Sequence, residues 1–296
     1  MSGKLKEVRE RITSVKSTQQ ITKAMKMVSA AKLRKAQQAI TQLRPYSDRL
    51  DRILKNILAN LDDNTINSYG VARNVKKAMV IVITSNRGLA GAFNSNIIKE
   101  AIQKINELRE VRKNKNLTIL CVGKKGYDYF KKRYHDCTIV DEFVGIFENL
   151  DFDNLAQVAQ YAMEGFDSED YDQVFVAYGR FKNAGMQFPE LVQFLPVEIS
   201  ETKGKKSGLK PDYIFEPDKV TLLQHLVPNI LHTSFYKFIL DTHASEHGAR
   251  MTAMAKATEN AEEIIKELKI SYNKARQESI TKELSEIVGG AAALGG

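Results

Sequence analysis

The sequence predicts an α/β protein in which long N- and C-terminal helices pair as an antiparallel coiled coil around an inserted α/β domain. Three observations predict this. Both ends carry apolar stripes at helical spacing and little proline; the middle carries continuous apolar runs typical of buried strands; and those runs alternate with further helical patterns. The expected segments are residues 1–75, 76–217 and 218–296.

In the first segment, Gly3 and Pro45 are the only glycine and proline between residues 3 and 59. Leu5, Val8, Ile12 and Val15 step by three and four residues, which marks one face of a helix. The stripe is expected to resume after a polar break around Gln19, through Ile21, Ala24, Val28 and Ala31. Leu50, Ile53, Leu54, Ile57 and Leu58 continue it beyond Pro45, where a kink or short interruption is expected. Lys and Arg fill most other faces.

The middle segment has a different rhythm. Met79–Thr84, Leu117–Val122 and Gln173–Tyr178 are apolar runs bounded by turn residues, the pattern of strands buried on both faces. Helical patterns cover Asn96–Val111, Gly126–Tyr134 and Leu155–Phe166. The alternation predicts a parallel, doubly wound, Rossmann-like sheet. Leu191–Val197 and the polar stretch Glu201–Lys210 are expected to form a β excursion leading into the third segment.

That segment opens at Pro217-Asp218, with Asp218 as a candidate N-cap. Leu223, Leu226, Val227, Ile230 and Leu231 form its first stripe, with Pro228 among them. Ala249, Ala253, Ala257 and Ala261 recur every fourth residue, a small-residue ridge that admits a close partner helix. Ile264, Ile265, Leu268, Tyr272 and Ala275 extend the stripe, and Gly289-Gly290 is expected to end the helix. A helix of about 55 residues is about 80 Å long, whereas a domain of about 120 residues is only about 35 Å across. Such helices must cover each other or enter a partner.

Composition narrows the function. Of the 296 residues, 43% are hydrophobic, enough for a substantial core, yet no apolar run is long enough to span a bilayer. The N-terminal residues resemble neither a signal peptide nor a transit segment, so the protein is expected to stay where it is made. Cys121 and Cys137 have no metal spacing, and Cys121 reads as a small buried hydrophobe. The formal charge of +8 favours acidic partners over a purely solvated surface only if another feature agrees.

No motif nominates a catalytic, cofactor or metal site. Ser85–Asn94 and Val122–Gly126 occupy the strand-to-helix positions of phosphate-binding loops, but both lack GxGxxG and GxxxxGK[ST], so a structural turn is the simpler reading. His243-Ala244-Ser245-Glu246-His247 matches H-x-x-E-H, and its histidines could share a metal. Within a long helix they are more simply helix-surface residues. Asp151, Asp153, Asp167, Glu169, Asp170 and Asp172 are scattered around turns and caps. The basic first helix lacks the interleaved aromatics of a nucleic-acid binder. A nucleotide-dependent enzyme and a basic nucleic-acid-binding coiled coil remain the alternatives to a mechanical subunit.

Three groups of residues carry a resemblance: Ile12–Val28, Arg87-Gly88-Leu89-Ala90-Gly91, and the C-terminal series of Ser245-Glu246, Ala249-Arg250-Met251, Ala253-Met254, Ala257-Thr258, Asn273–Gln277, Ser279-Ile280-Thr281 and Glu283-Leu284. They resemble the gamma subunits of F-type ATP synthases, and the likeness covers the whole chain. It implies a non-catalytic central rotor turning inside a ring of three alpha and three beta subunits. That rotor would couple ion flow to ATP synthesis and would need no cofactor of its own. It implies beta-subunit contacts at Met25, Lys26, Arg250, Arg276, Gln277 and Thr281. It implies contacts with the membrane c-ring at Tyr213 and Glu216, and an epsilon subunit as a further partner. The small, apolar tail Val288–Gly296 would suit a bearing. The implied location is the cytoplasmic face of a bacterial membrane, as a peripheral protein without membrane insertion or nucleic acid. Many relatives have Cys where this chain has Ala90, and the inserted redox-cysteine segment of the chloroplast type has no counterpart, so thiol control is not expected.

Overall fold

A computed structural model describes residues 3–59, 76–112, 116–148, 150–197 and 219–294. The elements are α1 (Gly3–Ala59), β1 (Ala78–Ile83), α2 (Phe93–Arg112), β2 (Leu117–Val122), α3 (Lys124–Phe130), β3 (Thr138–Val140), α4 (Phe152–Asp167), β4 (Gln173–Asn183), β5 (Met186–Leu195) and α5 (Lys219–Leu294). Two compact units result. One comprises residues 31–249, the other residues 1–30 and 250–296.

The first unit is built on a five-stranded sheet in the order β3-β2-β1-β4-β5. β1 pairs in parallel with β2 and with β4, and β2 with β3; β5 runs antiparallel to β4. The expected doubly wound sheet is therefore present, with an antiparallel strand on one edge. β5 begins at Met186, ahead of the expected Leu191. The Asn183 carboxamide accepts hydrogen bonds from the N–H groups of Gly185 and Met186, tightening a turn that folds β5 back onto β4.

Alternation in β1 sorts its side chains onto two faces. Met79, Ile81 and Ile83 join Leu155, Val158, Phe166, Phe235 and Ile239 in one core, with Leu50 and Ile53 of α1 packed against it. Ala78, Val80 and Val82 join Ile97, Ala101, Ile105 and Phe130 in the other. Burying one such large side chain stabilises by roughly 1.5–3 kcal/mol. The helices lie where this demand puts them: α2 and α3 on one face, and α4 with parts of α1 and α5 on the other. Here α1 and α5 run antiparallel, because Arg44 pairs with Asp241 at 3.0 Å and Lys237 with Asp48 at 2.9 Å. Pro45 and Pro228 both lie inside continuous helix, so no interruption falls at Pro45.

The second unit is a helix pair. Thr22 Oγ1 lies 2.8 Å from Thr258 Oγ1, and Lys4 Nζ lies 3.6 Å from Glu278. Rising residue numbers on α1 thus meet falling numbers on α5, which is the antiparallel arrangement. Along residues 3–30 of α1 the buried and half-buried positions are Leu5, Val8, Ile12, Val15, Gln19, Thr22, Met25, Ser29 and Ala30. This corrects the phase expected beyond Val15. Ile21, Ala24 and Val28 are exposed, and the seam continues straight through Gln19 and Thr22. On α5 the seam is Met254, Thr258, Ala261, Ile265, Leu268, Tyr272, Ala275 and Ser279, stepping by four and three; Ile264 faces out. Gly289 and Gly290 do not end α5, which continues to Leu294. Among the described residues no helix is long and apolar enough to cross a membrane.

Candidate functional site

At the carboxyl ends of β1 and β2, where α/β sheets commonly hold phosphates, several backbone donors are taken up by the protein itself. Ser85 N–H donates to Asn94 Oδ1 at 2.9 Å, Lys124 N–H to Asn86 Oδ1 at 3.0 Å, Lys125 N–H to Ser85 O at 3.1 Å and Gly126 N–H to Thr84 Oγ1 at 2.8 Å. Ser85 Oγ donates in turn to Arg87 O at 2.6 Å. Leu89 and Gly91 take positive φ angles of 62° and 58°, which the tight turn into α2 requires. Gly123, at φ 105°, admits no side chain, because a Cβ would lie 2.0 Å from Thr84 O.

The neighbouring cleft between β1 and β4 is the switch point of a doubly wound sheet. Here α5 fills it. Gly179 N–H donates to Thr242 Oγ1 at 3.2 Å, and Ser245 Oγ donates to Gly179 O at 2.9 Å. A Cβ on Gly179 would meet Phe93 of α2 at 2.7 Å and Ser245 at 3.3 Å. The turn residues singled out as a possible nucleotide site therefore serve structure.

Beside this plug lies a charged lock. Arg44 donates to Phe181 O at 2.8 Å and to Asp241 Oδ1 at 3.0 Å. Asp241 is only 2% exposed. Burial raises its pKa above 3.8, against the opposing pull of Arg44, Lys237 and Arg180. Tyr178 donates to Glu190 at 2.6 Å, and burial together with that bond pushes its pKa far up. Burial likewise drives the Cys121 thiol up to about 12, in keeping with the hydrophobe expected there. The scattered acids have local roles. Asp172 accepts from Lys76 N–H and Lys77 N–H at 2.6 and 2.8 Å, and Asp170 from Ser168 Oγ at 2.9 Å.

The histidines of the H-x-x-E-H pattern are not surface residues. His247 is buried and His243 half-buried, with Nε2 atoms 3.1 Å apart. At this level α5 is bonded to β4 at Gly179, and Phe147 stacks on His243, contacts that periodicity in a mostly apolar stretch did not reveal.

The helix pair holds most of the residues assigned by resemblance. Met25 is half-buried, Arg250 is buried, and Lys26, Arg276, Gln277 and Thr281 are exposed. The Thr22–Thr258 and Lys4–Glu278 contacts set the register. They place Met25 and Lys26 near the Arg250 end of the pair, with Arg276 and Gln277 beside Lys4 at the other. Arg250 and Arg276 are about 40 Å apart along α5. The assigned residues thus form two levels rather than one cluster. Tyr213, Glu216 and the stretch Glu201–Lys210 lie outside the described residues.

What the resemblance missed is the apolar dress of the helix pair. Ile21, Met27 and Val28 of α1 are exposed at 60, 58 and 57%, and Ile270 of α5 at 71%. Ile280, Leu284, Ile287 and Val288 are exposed too. Among the described residues, none of α1 lies opposite the latter four, Lys4 being level with Glu278. An out-of-phase apolar residue in an otherwise regular heptad was the available signal.

Comparison with known proteins gives a consistent result. The ATP synthase family model matches residues 4–294. The ATP synthase gamma chain of Cytophaga hutchinsonii is 49% identical over 292 residues, covering 98% of each chain. That of Christiangramia forsetii is 50% identical over 292 residues and covers 99% of each. Among solved structures, a chain of the Euglena gracilis mitochondrial ATP synthase, determined with OSCP, F1 and c-ring, superposes with a TM-score of 0.69 at 25% identity, covering 99% of this chain and 95% of its own. A chain from the Tetrahymena thermophila mitochondrial central stalk and c-ring, at 24% identity and TM-score 0.57, covers 80% of this chain and 99% of its own, and shares the fold.

Proposed function

The chain belongs to the ATP synthase gamma chain family, and we propose that it acts as a non-catalytic shaft turning inside a ring of alpha and beta subunits. The observation that carries this reading is the row of exposed apolar side chains on the helix pair, from Ile21 and Val28 to Ile270 and Leu284. Soluble proteins seldom leave such surface uncovered, and a collar of other subunits would cover it. Catalysis would belong to the beta subunits. In this chain α5 bonds into the sheet's usual ligand cleft, and several of its turn donors are bonded internally.

In this reading the two levels of polar residues act on different parts of the collar. Met25, Lys26 and Arg250 would engage beta subunits at one level, and Arg276, Gln277 and Thr281 at the other. The basic surface of α1, with Lys4, Lys6, Arg9, Arg11, Lys16, Lys23 and Lys26, suits acidic loops on the collar. Turning an asymmetric shaft would favour a different conformation at each catalytic site in succession, a population shift driven by differential contact. Tyr213 and Glu216 would rest on the c-ring and the epsilon subunit would bind alongside. The assembly would sit on the cytoplasmic face of a bacterial membrane.

The test is reconstitution with alpha and beta subunits on ring-containing membranes, measuring ATPase rate and ion pumping together. Arg276→Ala is expected to assemble and hydrolyse ATP with fewer ions pumped per ATP. An unchanged pumping ratio would remove Arg276 from the coupling surface. Failure of the unaltered chain to stimulate ATPase activity would overturn the shaft reading itself.

A further inference from the structure

Charge is divided unevenly over the sheet unit. Between positions 124 and 136 the sequence holds five Lys or Arg and two Asp, whereas between 151 and 172 it holds seven Asp or Glu and no basic residue. The first stretch forms α3 and the turn after it, on the sheet face that carries α2; the second forms α4 and the turn after it, on the opposite face. Lys124, Lys125, Lys131, Lys132 and Arg133 are all exposed. Among the described residues, none of Lys124, Lys125, Lys132 and Arg133 pairs with a carboxylate.

The topology places the last three of these cations on one edge. α3 starts at the carboxyl ends of the strands, where Gly126 N–H meets Thr84 Oγ1, and β3 starts at their amino ends, where Thr138 pairs with Thr118. Lys131, Lys132 and Arg133 lie in the turn between, at the amino-terminal edge of the sheet. Arg109, near the end of α2, reaches the same turn through Asp136 at 2.7 Å. Arg133 lies over the Tyr129 ring at 4.3 Å, and Lys131 Nζ donates to Tyr127 Oη at 2.7 Å. Both rings are half-buried, so these two cations are held before a partner arrives and lose less freedom on binding. On the β1 side of this edge Lys77 is matched by Asp170 at 3.9 Å, which confines the uncompensated charge to the side of β2 and β3.

The chain leaves the sheet for residues 198–218 from this same edge. Leu195 of β5 pairs with Val174 near the start of β4, and Phe194 meets Phe235 of α5 at 5.8 Å. Thr242 and Ser245 lie farther along β4, at Gly179, so α5 enters from the amino-terminal end. In the sheet order β3 is four strand spacings from β5, about 19 Å.

We infer that Lys131, Lys132 and Arg133 form a docking surface for the anionic phospholipid headgroups of the bilayer around the c-ring. The inference rests on the reading that Tyr213 and Glu216 stand on that ring. With the β5 side of the edge above the ring, the β3 side overhangs the lipid beside it. Clustered Lys and Arg are drawn to an anionic leaflet, and the acids of α4 on the other face are repelled by it, which orients the unit. Nucleic acid fits this surface less well: Tyr127 and Tyr129 are each capped by a cation and packed on the core, leaving little ring face for a base.

The test is flotation of the full-length chain with vesicles of phosphatidylcholine alone, or of equal parts phosphatidylcholine and phosphatidylglycerol. The chain is expected to float with the anionic vesicles and to be released as salt rises, since the screening length falls from about 30 Å at 0.01 M to about 3 Å at 1 M. Replacing Lys131, Lys132 and Arg133 together by Gln should weaken the salt-sensitive binding by about a hundredfold, each cation near an anionic surface contributing about fivefold. The comparison is the equal charge loss of Lys6, Arg9 and Lys16 to Gln, exposed positions on α1 that should matter far less. An equal loss in the two triple variants would overturn the inference, as would binding of the unaltered chain that ignores lipid charge or salt. Retention on polyglutamate that needs Lys131, Lys132 and Arg133, without flotation, would overturn it in favour of an acidic protein partner. Flotation requires neither alpha nor beta subunits. A chain that floats as expected yet stimulates no ATPase would sustain the headgroup surface while overturning the shaft.

Discussion

In the sheet unit the large apolar side chains are sealed away, with Ile81, Ile119, Phe166 and Phe235 completely buried. In the helix pair the seam mixes large apolar residues such as Leu5, Ile12, Ile265 and Leu268 with small or polar ones such as Thr22, Ser29, Thr258, Ala261 and Ala275, while further large residues such as Ile21 and Ile270 point outward. The two regions use apolar surface for different ends. One places it in its own cohesion; the other covers part of it in a helix–helix contact and leaves the rest exposed.

The largest expected effect tests the cohesive half. Phe166→Ala should lower the stability of the chain by about 3–5 kcal/mol in urea unfolding, because a fully buried ring leaves a cavity. A loss well below that range would mean the sheet unit is less tightly packed than its burial indicates. Ala261→Phe addresses the seam, where a ring in place of a methyl should cost about 1–3 kcal/mol by overpacking. An unchanged Tm would place Ala261 outside the helix contact.

Asp241 offers a pH test within the sheet unit. Its folded pKa is raised by burial above 3.8. Stability from the protonated form is therefore fully present below pH 3.8 and lost as pH rises through the folded value. The urea midpoint of the unaltered chain relative to Asp241→Asn should fall as pH rises above 3.8. A flat or rising difference would mean that Arg44 and Lys237 outweigh burial. The smallest effect on folding is expected at the other extreme. Ile270→Ser should change chain stability by no more than about 0.5 kcal/mol, as exposed substitutions usually do. It should nonetheless reduce recovery of the assembled complex with alpha and beta subunits. A large folding defect would show that Ile270 is not displayed for a partner.

How legible each region was follows from the same contrast. β1, β2 and β4 were readable because burial on both faces leaves uninterrupted apolar runs. β3 was missed because it has only three residues, none of them fully buried. The seam of α1 was misread after Val15 because hydropathy marks Ile21 and Val28 as interior, whereas the packing needs the hydroxyl of Thr22 against that of Thr258. The expected stop at Gly289-Gly290 failed because glycine permits a helix to end without requiring it. In the exposed last turns of α5 the backbone hydrogen bonds continue past both residues. The proposed contact residues rest on the resemblance alone, since exposed Arg276 or Gln277 carries no periodic signal.

Gly179 has a consequence for intervention. Its backbone amide and carbonyl are both held by α5, in the crevice where sheets of this topology elsewhere admit small molecules. A compound that entered would have to displace Thr242 and Ser245, prying the helix from β4. An inhibitor directed at this crevice would therefore act as a wedge, loosening α5 from the sheet.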